Sequence, residues 1–175
     1  ERPIVTFADA LAAVASCGRN IRRVPLHLMN NRVVLIATVL WINAWDYVTD
    51  VLRENVNTAC IAVLLDGNLL ENMSVRVRDH KVVAHAAVCN DGGSYEFVTP
   101  RLQRSKPLAM LALRTNGNML AFAPDEMTSD RELVTAALSS CSNALEYVHE
   151  DLLDDQTIIE PMLFGEAPGP ELALQ

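Results

Sequence analysis

An alanine returns through this chain at a nearly fixed interval. Ala13, Ala37, Ala62, Ala87, Ala112 and Ala137 are separated by 24 residues once and by 25 thereafter. The columns beside it keep the same step. One residue on stand Val14, Thr38, Val63, Val88, Leu113 and Leu138, and eight on stand Ile21, Trp45, Leu70, Tyr95, Leu120 and Leu145. Several columns in one register constrain the fold more tightly than any composition does. A unit of this length is a single supersecondary element that cannot bury its own apolar face, so it must stack on copies of itself.

The spacing inside a unit is helical. Leu133, Val134, Ala137, Leu138 and Cys141 fall at i, i+1, i+4, i+5 and i+8, one stripe of an α-helix. Leu145, Val148 and Leu152 make a second stripe after a break. Gly18, Gly67, Gly92 and Gly117 mark that break, each five residues after the alanine, where a left-handed helix cap is expected. Residues able to cap a helix N-terminus open the next unit: Asn30, Asn55, Ser105, Asp130 and Asp155, with His80 the weak member. Pro25, Pro100 and Pro124 predict a short second helix followed by a separate tight turn. The predicted fold is all-α: tandem helical hairpins of about 25 residues, stacked as a small α-solenoid with the alanine at the closest helix approach.

Six units and the start of a seventh over residues 156–163, weakened by Pro161, place one helical-repeat domain at 1–164. The Gly- and Pro-rich run beyond it, 165–175, reads as a flexible C-terminal tail. The longest apolar run, 33–42, is too short for a membrane span. Glu1-Arg2-Pro3-Ile4 does not read as a signal peptide, although without an initiator Met a preceding segment stays open. The expected location is cytoplasmic. Cys17, Cys60, Cys89 and Cys141 have no metal-ligand or redox spacing and read as reduced thiols in helical core.

Units five and six carry a family resemblance. Leu108-Ala-Met-Leu-Ala-Leu, Asn116-Gly and Leu120-Ala-Phe-Ala-Pro-Asp-Glu-Met recur as Leu133-Val-Thr-Ala-Ala-Leu and Ala144-Leu-Glu-Tyr-Val-His-Glu-Asp-Leu. This stretch, about residues 106–155, resembles an α-helical tandem-repeat family known only as a domain of unknown function, number 4116. The resemblance implies an all-helical fold and the arrangement of units. It implies no activity and no catalytic residues.

Signatures of chemistry do not appear. There is no phosphate-binding glycine loop, since Asp91-Gly92-Gly93-Ser94 falls at the repeat's own turn. His80 and His85 are five apart and off a common helical face, and His27 and His149 belong to distant units. Nucleophilic catalysis needs a Cys or Ser with a His and an orienting acid, but Cys17 and Cys141 share a repeat position, four after the alanine, that accepts Trp41 in another unit and so reads as packing. The chain is therefore read as non-enzymatic and without a cofactor.

Charge is the remaining signal. The net charge is −8, yet residues 1–115 hold 13 Lys and Arg against 10 acids, while 116–175 hold one against 12. Arg76 and Arg101 share a repeat column, Arg53 and Arg78 a second, and Lys81, Lys106 and Arg131 a third, with Arg104 close by. All surround the turn between units, so stacking aligns them along one edge. The expected function is a scaffold for protein–protein interaction. Its candidate binding residues are Arg53, Arg76, Arg78, Lys81, Arg101, Arg104 and Lys106, and its partner is an acidic protein segment. The acidic stretch 146–171 of a second copy would serve, giving self-association. The rival reading is a helical-repeat RNA-binding module. The overall acidity argues against it, as does the placement of Tyr95, Tyr147, Phe97 and Phe122 in apolar columns.

Overall fold

A computed structural model of the chain describes residues 3–158, the side chains of 39, 40, 42 and 43 excepted. Eleven α-helices and seven 3₁₀ segments are complete within it, with no strand among the described residues. Six α-helices are ten residues long: α1 (Phe7–Ser16), α2 (Asn31–Leu40), α4 (Val56–Leu65), α6 (Lys81–Asn90), α8 (Lys106–Thr115) and α10 (Arg131–Ser140). Each leads into a six-residue 3₁₀ segment: Gly18–Arg23, Ile42–Tyr47, Gly67–Asn72, Gly92–Phe97, Gly117–Phe122 and Ser142–Tyr147. A four-residue α-helix then closes the sequence in all but the first case: α3 (Asp50–Arg53), α5 (Val75–Arg78), α7 (Pro100–Gln103), α9 (Asp125–Thr128) and α11 (Glu150–Leu153). After the first 3₁₀ segment a three-residue 3₁₀ turn, Leu26–Leu28, takes that place.

Side chains at the predicted caps start three of the six long helices. Asn30, Asn55 and Asp130 each accept two backbone N–H groups of the following turn. Thr6 and Asp9 form a reciprocal capping box on α1. His80 and Ser105 supply no side-chain cap, though α8 carries Pro107 in its first turn.

The helix ends differ from the expectation. The residue before each glycine is the one that leaves the helix, in extended conformation, and no left-handed cap is used. Asp91 has φ −141° and Asn116 φ −146°, and their N–H groups still reach Ala87 and Ala112. Asp66, Asp91 and Asn116 then cap the 3₁₀ segment by accepting the N–H two residues on. Gly67, Gly92 and Gly117 have no positive φ. Glycine is needed there because another backbone lies against it: a β-carbon on Gly67 would stand 2.8 Å from the carbonyl oxygen of Ala87.

The expected tight turn is likewise a short helix, with Pro100 opening α7 and Pro124 capping α9. Proline suits those positions because the first turn of a helix has no intrahelical use for its N–H.

Packing follows chain order, α1 against α2, α2 against α4, and so on to α10. Ala37, Ala62, Ala87, Ala112 and Ala137 are completely buried, and so small a side chain leaves room for neighbouring helices to approach closely. Ala13, with no described unit on its outer side, is half-buried. Ile21, Trp45, Leu70, Tyr95 and Leu120, on the 3₁₀ segments, are buried in the same core.

The cysteines are not core residues. Cys17 and Cys89 are exposed, Cys60 and Cys141 half-buried, and all four are unbridged. Residues 156–158 open a further helix as expected. The rest of the expected seventh unit, to 163, and the 165–175 tail lie outside the described residues. No described helix is long and apolar enough to cross a membrane.

Candidate interaction edge

The residues singled out by charge lie on the short helices α3, α5 and α7 and at the starts of α6 and α8, with Arg104 directly after α7. A four-residue helix projects side chains in almost every direction, so its residues divide between bonding the stack and facing water. Arg53 is turned inward. Its Nε donates to the carbonyl of Val48 and a terminal nitrogen to that of Trp45, both at 2.9 Å. Its guanidinium also lies 5.9 Å from the centre of the buried Trp45 ring. Arg78, its column partner, donates to the carbonyl of Phe97 at 3.3 Å, and its Nε is buried with no partner. These two close the carbonyl ends of 3₁₀ segments.

Arg101 reaches back to the preceding short helix. Its Nε lies 2.9 Å and 3.0 Å from the two carboxylate oxygens of Asp79, and a terminal nitrogen donates to the Asp79 carbonyl at 2.7 Å. The Thr99 hydroxyl donates to the same carboxylate. That hydroxyl, seconded by Arg101, holds the Asp79 carboxyl below its ordinary range.

Lys106 bridges forward to Asp130 at 2.7 Å and Glu132 at 2.9 Å. Hydrogen bonds to those two carboxylates raise the Lys106 ammonium. Burial alone would raise Asp130, but Lys106 and the N–H groups of Leu133 and Glu132 outweigh it and hold it low. Arg131 repeats the relationship with Asp155 and Thr157.

Arg76, Lys81 and Arg104 remain. All three are exposed, and none has a hydrogen bond or ion pair among the described residues. The structure therefore divides the seven candidates. Arg53, Arg78, Arg101 and Lys106 bond other parts of the chain, and the other three face solvent. The same edge changes sign further along: the positions of Arg76 and Arg101 are taken by Glu126 and Asp151.

A second cluster was missed by the sequence reading. Trp41 is half-buried and stacks on Tyr47, with ring centres 5.3 Å apart. The Arg22 guanidinium sits 4.4 Å from the Tyr47 centre and 4.8 Å from that of Trp41. Phe122 and Tyr147, placed by the sequence in apolar columns, are 37% and 40% exposed, whereas Tyr95 is buried. The signal was available, because Tyr47, Phe97, Phe122 and Tyr147 keep the 25-residue step. Their direction was not, since the segment that holds them turns every three residues and not every 3.6.

Among the described residues no three His, Cys, Asp or Glu gather as metal ligands. The family model described as Domain of unknown function (DUF4116) matches residues 83–128 and again 106–153. The second match is displaced from the first by 23 residues at its start and 25 at its end, close to the interval at which the elements recur. Together the matches run from α6 to the end of α11, which places the resemblance over a wider stretch than the two most regular units. No curated protein and no solved structure matches the chain.

Proposed function

We propose that the chain is a non-enzymatic scaffold, its 25-residue units stacked as a small α-solenoid, whose basic edge binds an acidic segment of another protein. The observation that carries this reading is the trio Arg76, Lys81 and Arg104. They are three exposed cations on or beside successive short helices, while the basic residues around them are engaged within the chain. Engaged neighbours fix the edge, and free charges on a fixed edge lose less entropy on binding than charges on a mobile loop. Glu126, Glu150 and Asp151 offer an acidic segment in a second copy, which makes self-association a form of the same interaction.

The test reverses only the free charges. Arg76→Glu, Lys81→Glu and Arg104→Glu together leave the far-ultraviolet circular dichroism and melting unchanged. They abolish anisotropy-detected binding of a labelled peptide of ten Asp and Glu residues. Binding to the parent weakens with added salt, because exposed charges are screened beyond about 10 Å at 0.1 M. Unchanged peptide binding by the reversed protein removes the edge from consideration. Capture of labelled oligouridine in place of the peptide favours the RNA-binding alternative.

A further inference from the structure

We propose that a second edge, the ends of the 3₁₀ segments, is a docking strip for a basic, arginine-bearing peptide of a partner protein. Phe97, Phe122 and Tyr147 each close a 3₁₀ segment, and these three segments lie side by side, Gly92–Phe97 against Gly117–Phe122 and Gly117–Phe122 against Ser142–Tyr147. The aromatic side chains thus form a row, and two of them are more than one-third exposed. Phe97 packs in part against the core, but the exposed aromatic surface of Phe122 and Tyr147, at one position in successive units, is not required by the stack. Asn72 occupies the same position in the Gly67–Asn72 segment and is also exposed.

The residue before the aromatic position supplies the charge in four of five units, Ala121 before Phe122 being the exception. Asp46, Glu71, Glu96 and Glu146 are all exposed and have no partner among the described residues. Rings flanked by free carboxylates attract cations twice, once through the face of the ring and once by charge. The same carboxylates repel a phosphate backbone, which selects a basic peptide over single-stranded RNA.

The chain itself shows the occupant. In the first unit the acidic position is held by Arg22, and its guanidinium lies over Tyr47, the aromatic residue of the next unit, at 4.4 Å. Tyr47 is thus already covered by an arginine of the chain, whereas Phe122 and Tyr147 have no cation over them among the described residues. Neighbouring helices lie about 8–10 Å apart, close to the length of three residues of extended chain at about 3.3 Å each. A peptide with arginine at every third position matches that spacing.

This strip differs in place and in sign from the basic edge and stands whether or not that edge binds. The test is fluorescence anisotropy with three labelled nonapeptides, carrying arginine, lysine or glutamate at every third position between glycines. The arginine peptide binds the parent, the lysine peptide binds more weakly, and the glutamate peptide does not compete. Phe122→Ala with Tyr147→Ala, both at exposed positions, lowers arginine-peptide affinity by about tenfold or more without changing the circular dichroism. Glu96→Gln with Glu146→Gln lowers it less and flattens its salt dependence. Equal binding of the arginine peptide by the parent and the alanine pair overturns the proposal, as does equal affinity for the arginine and lysine peptides. Preferential binding of oligouridine overturns it too. Reversal of Arg76, Lys81 and Arg104 leaves arginine-peptide binding at least as strong, so the two edges fail or succeed separately.

Discussion

Gly92 and Ala112 meet backbone to backbone: a β-carbon built on Gly92 would stand 3.0 Å from the Ala112 carbonyl oxygen and overlap the Thr115 hydroxyl. The same relationship joins Gly67 to Ala87 and Gly117 to Ala137, so the two most regular columns of the sequence touch each other across successive units. The glycine exists for the alanine's carbonyl, one unit on.

Substitution separates this account from one based on backbone freedom. Gly117→Ala places a methyl group against the Ala137 carbonyl, a rigid partner, and destabilises by about 1–3 kcal/mol through overpacking. In Gly93→Ala the new methyl group meets only the Asp91 side chain, at 3.1 Å for the nearest atom, which can shift. Its stability stays within about 0.5 kcal/mol of the parent. Urea titration of the two variants measures the difference, and equal losses would show that close approach is not the reason for glycine at 117.

The alanine side of the contact makes a parallel prediction. Ala112 is completely buried between α6 and α10, and Ala112→Leu costs about 1–3 kcal/mol because the added atoms must push helices apart. Ala121 lies on an exposed 3₁₀ face, and the same change there is tolerated. A melting comparison of these two variants with the parent decides it, with similar stability in both the contrary result.

Much of this was legible in the residues, for a physical reason. Burial recurs at the repeat interval, so Ala87, Val88 and Tyr95 identify themselves by recurrence. Local hydrogen bonding reads equally well, as at Asn30, Asn55 and Asp130. The path after each helix was not legible. Gly92 in sequence looks like a helix cap, and only the neighbouring backbone reveals that it is a contact. The edge was legible in position but not in use. Nothing in the column containing Arg101 says that Asp79, 22 residues earlier, accepts its hydrogen bonds, while Arg76 one unit before makes no such bond although Glu54 stands at the equivalent position. Apolar columns likewise do not separate Tyr95, which is buried, from Tyr147, which is not.

Thiol chemistry checks the revised placement of the cysteines. Cys89 is exposed on α6, whereas burial on α4 raises the Cys60 thiol above its ordinary pKa. The thiolate is the reactive form. At pH 7.5 iodoacetamide therefore modifies Cys17 and Cys89 first and Cys60 last, about tenfold or more slowly. Peptide mass spectrometry of a timed reaction measures the order. Cys60 reacting with Cys89 would contradict the packing of α4.

Acid sensitivity tests whether Asp79 joins its unit to the next. Its carboxyl is lowered by the Thr99 hydroxyl and by Arg101, so the folded protein binds this proton more weakly than the unfolded chain does. The stabilisation is therefore fully present above the ordinary carboxylate pKa of about 4, and is lost as pH falls from there through the lowered value. Asp130 and Asp155 are lowered as well and add to the same acid limb. Lys106 behaves oppositely: its raised pKa gives a contribution present below the ordinary lysine value of about 10.4 and lost as pH rises through the folded one. Asp79→Asn keeps the backbone carbonyl for Arg101 but removes the titrating group. The variant is less stable than the parent at pH 6, and the gap narrows between pH 5 and pH 2.5. Because Arg101 is exposed, 0.5 M salt also narrows the gap at pH 6. Urea midpoints across that range provide the measurement, and curves that stay parallel down to pH 2.5 would mean that Asp79 does not carry the inter-unit bond.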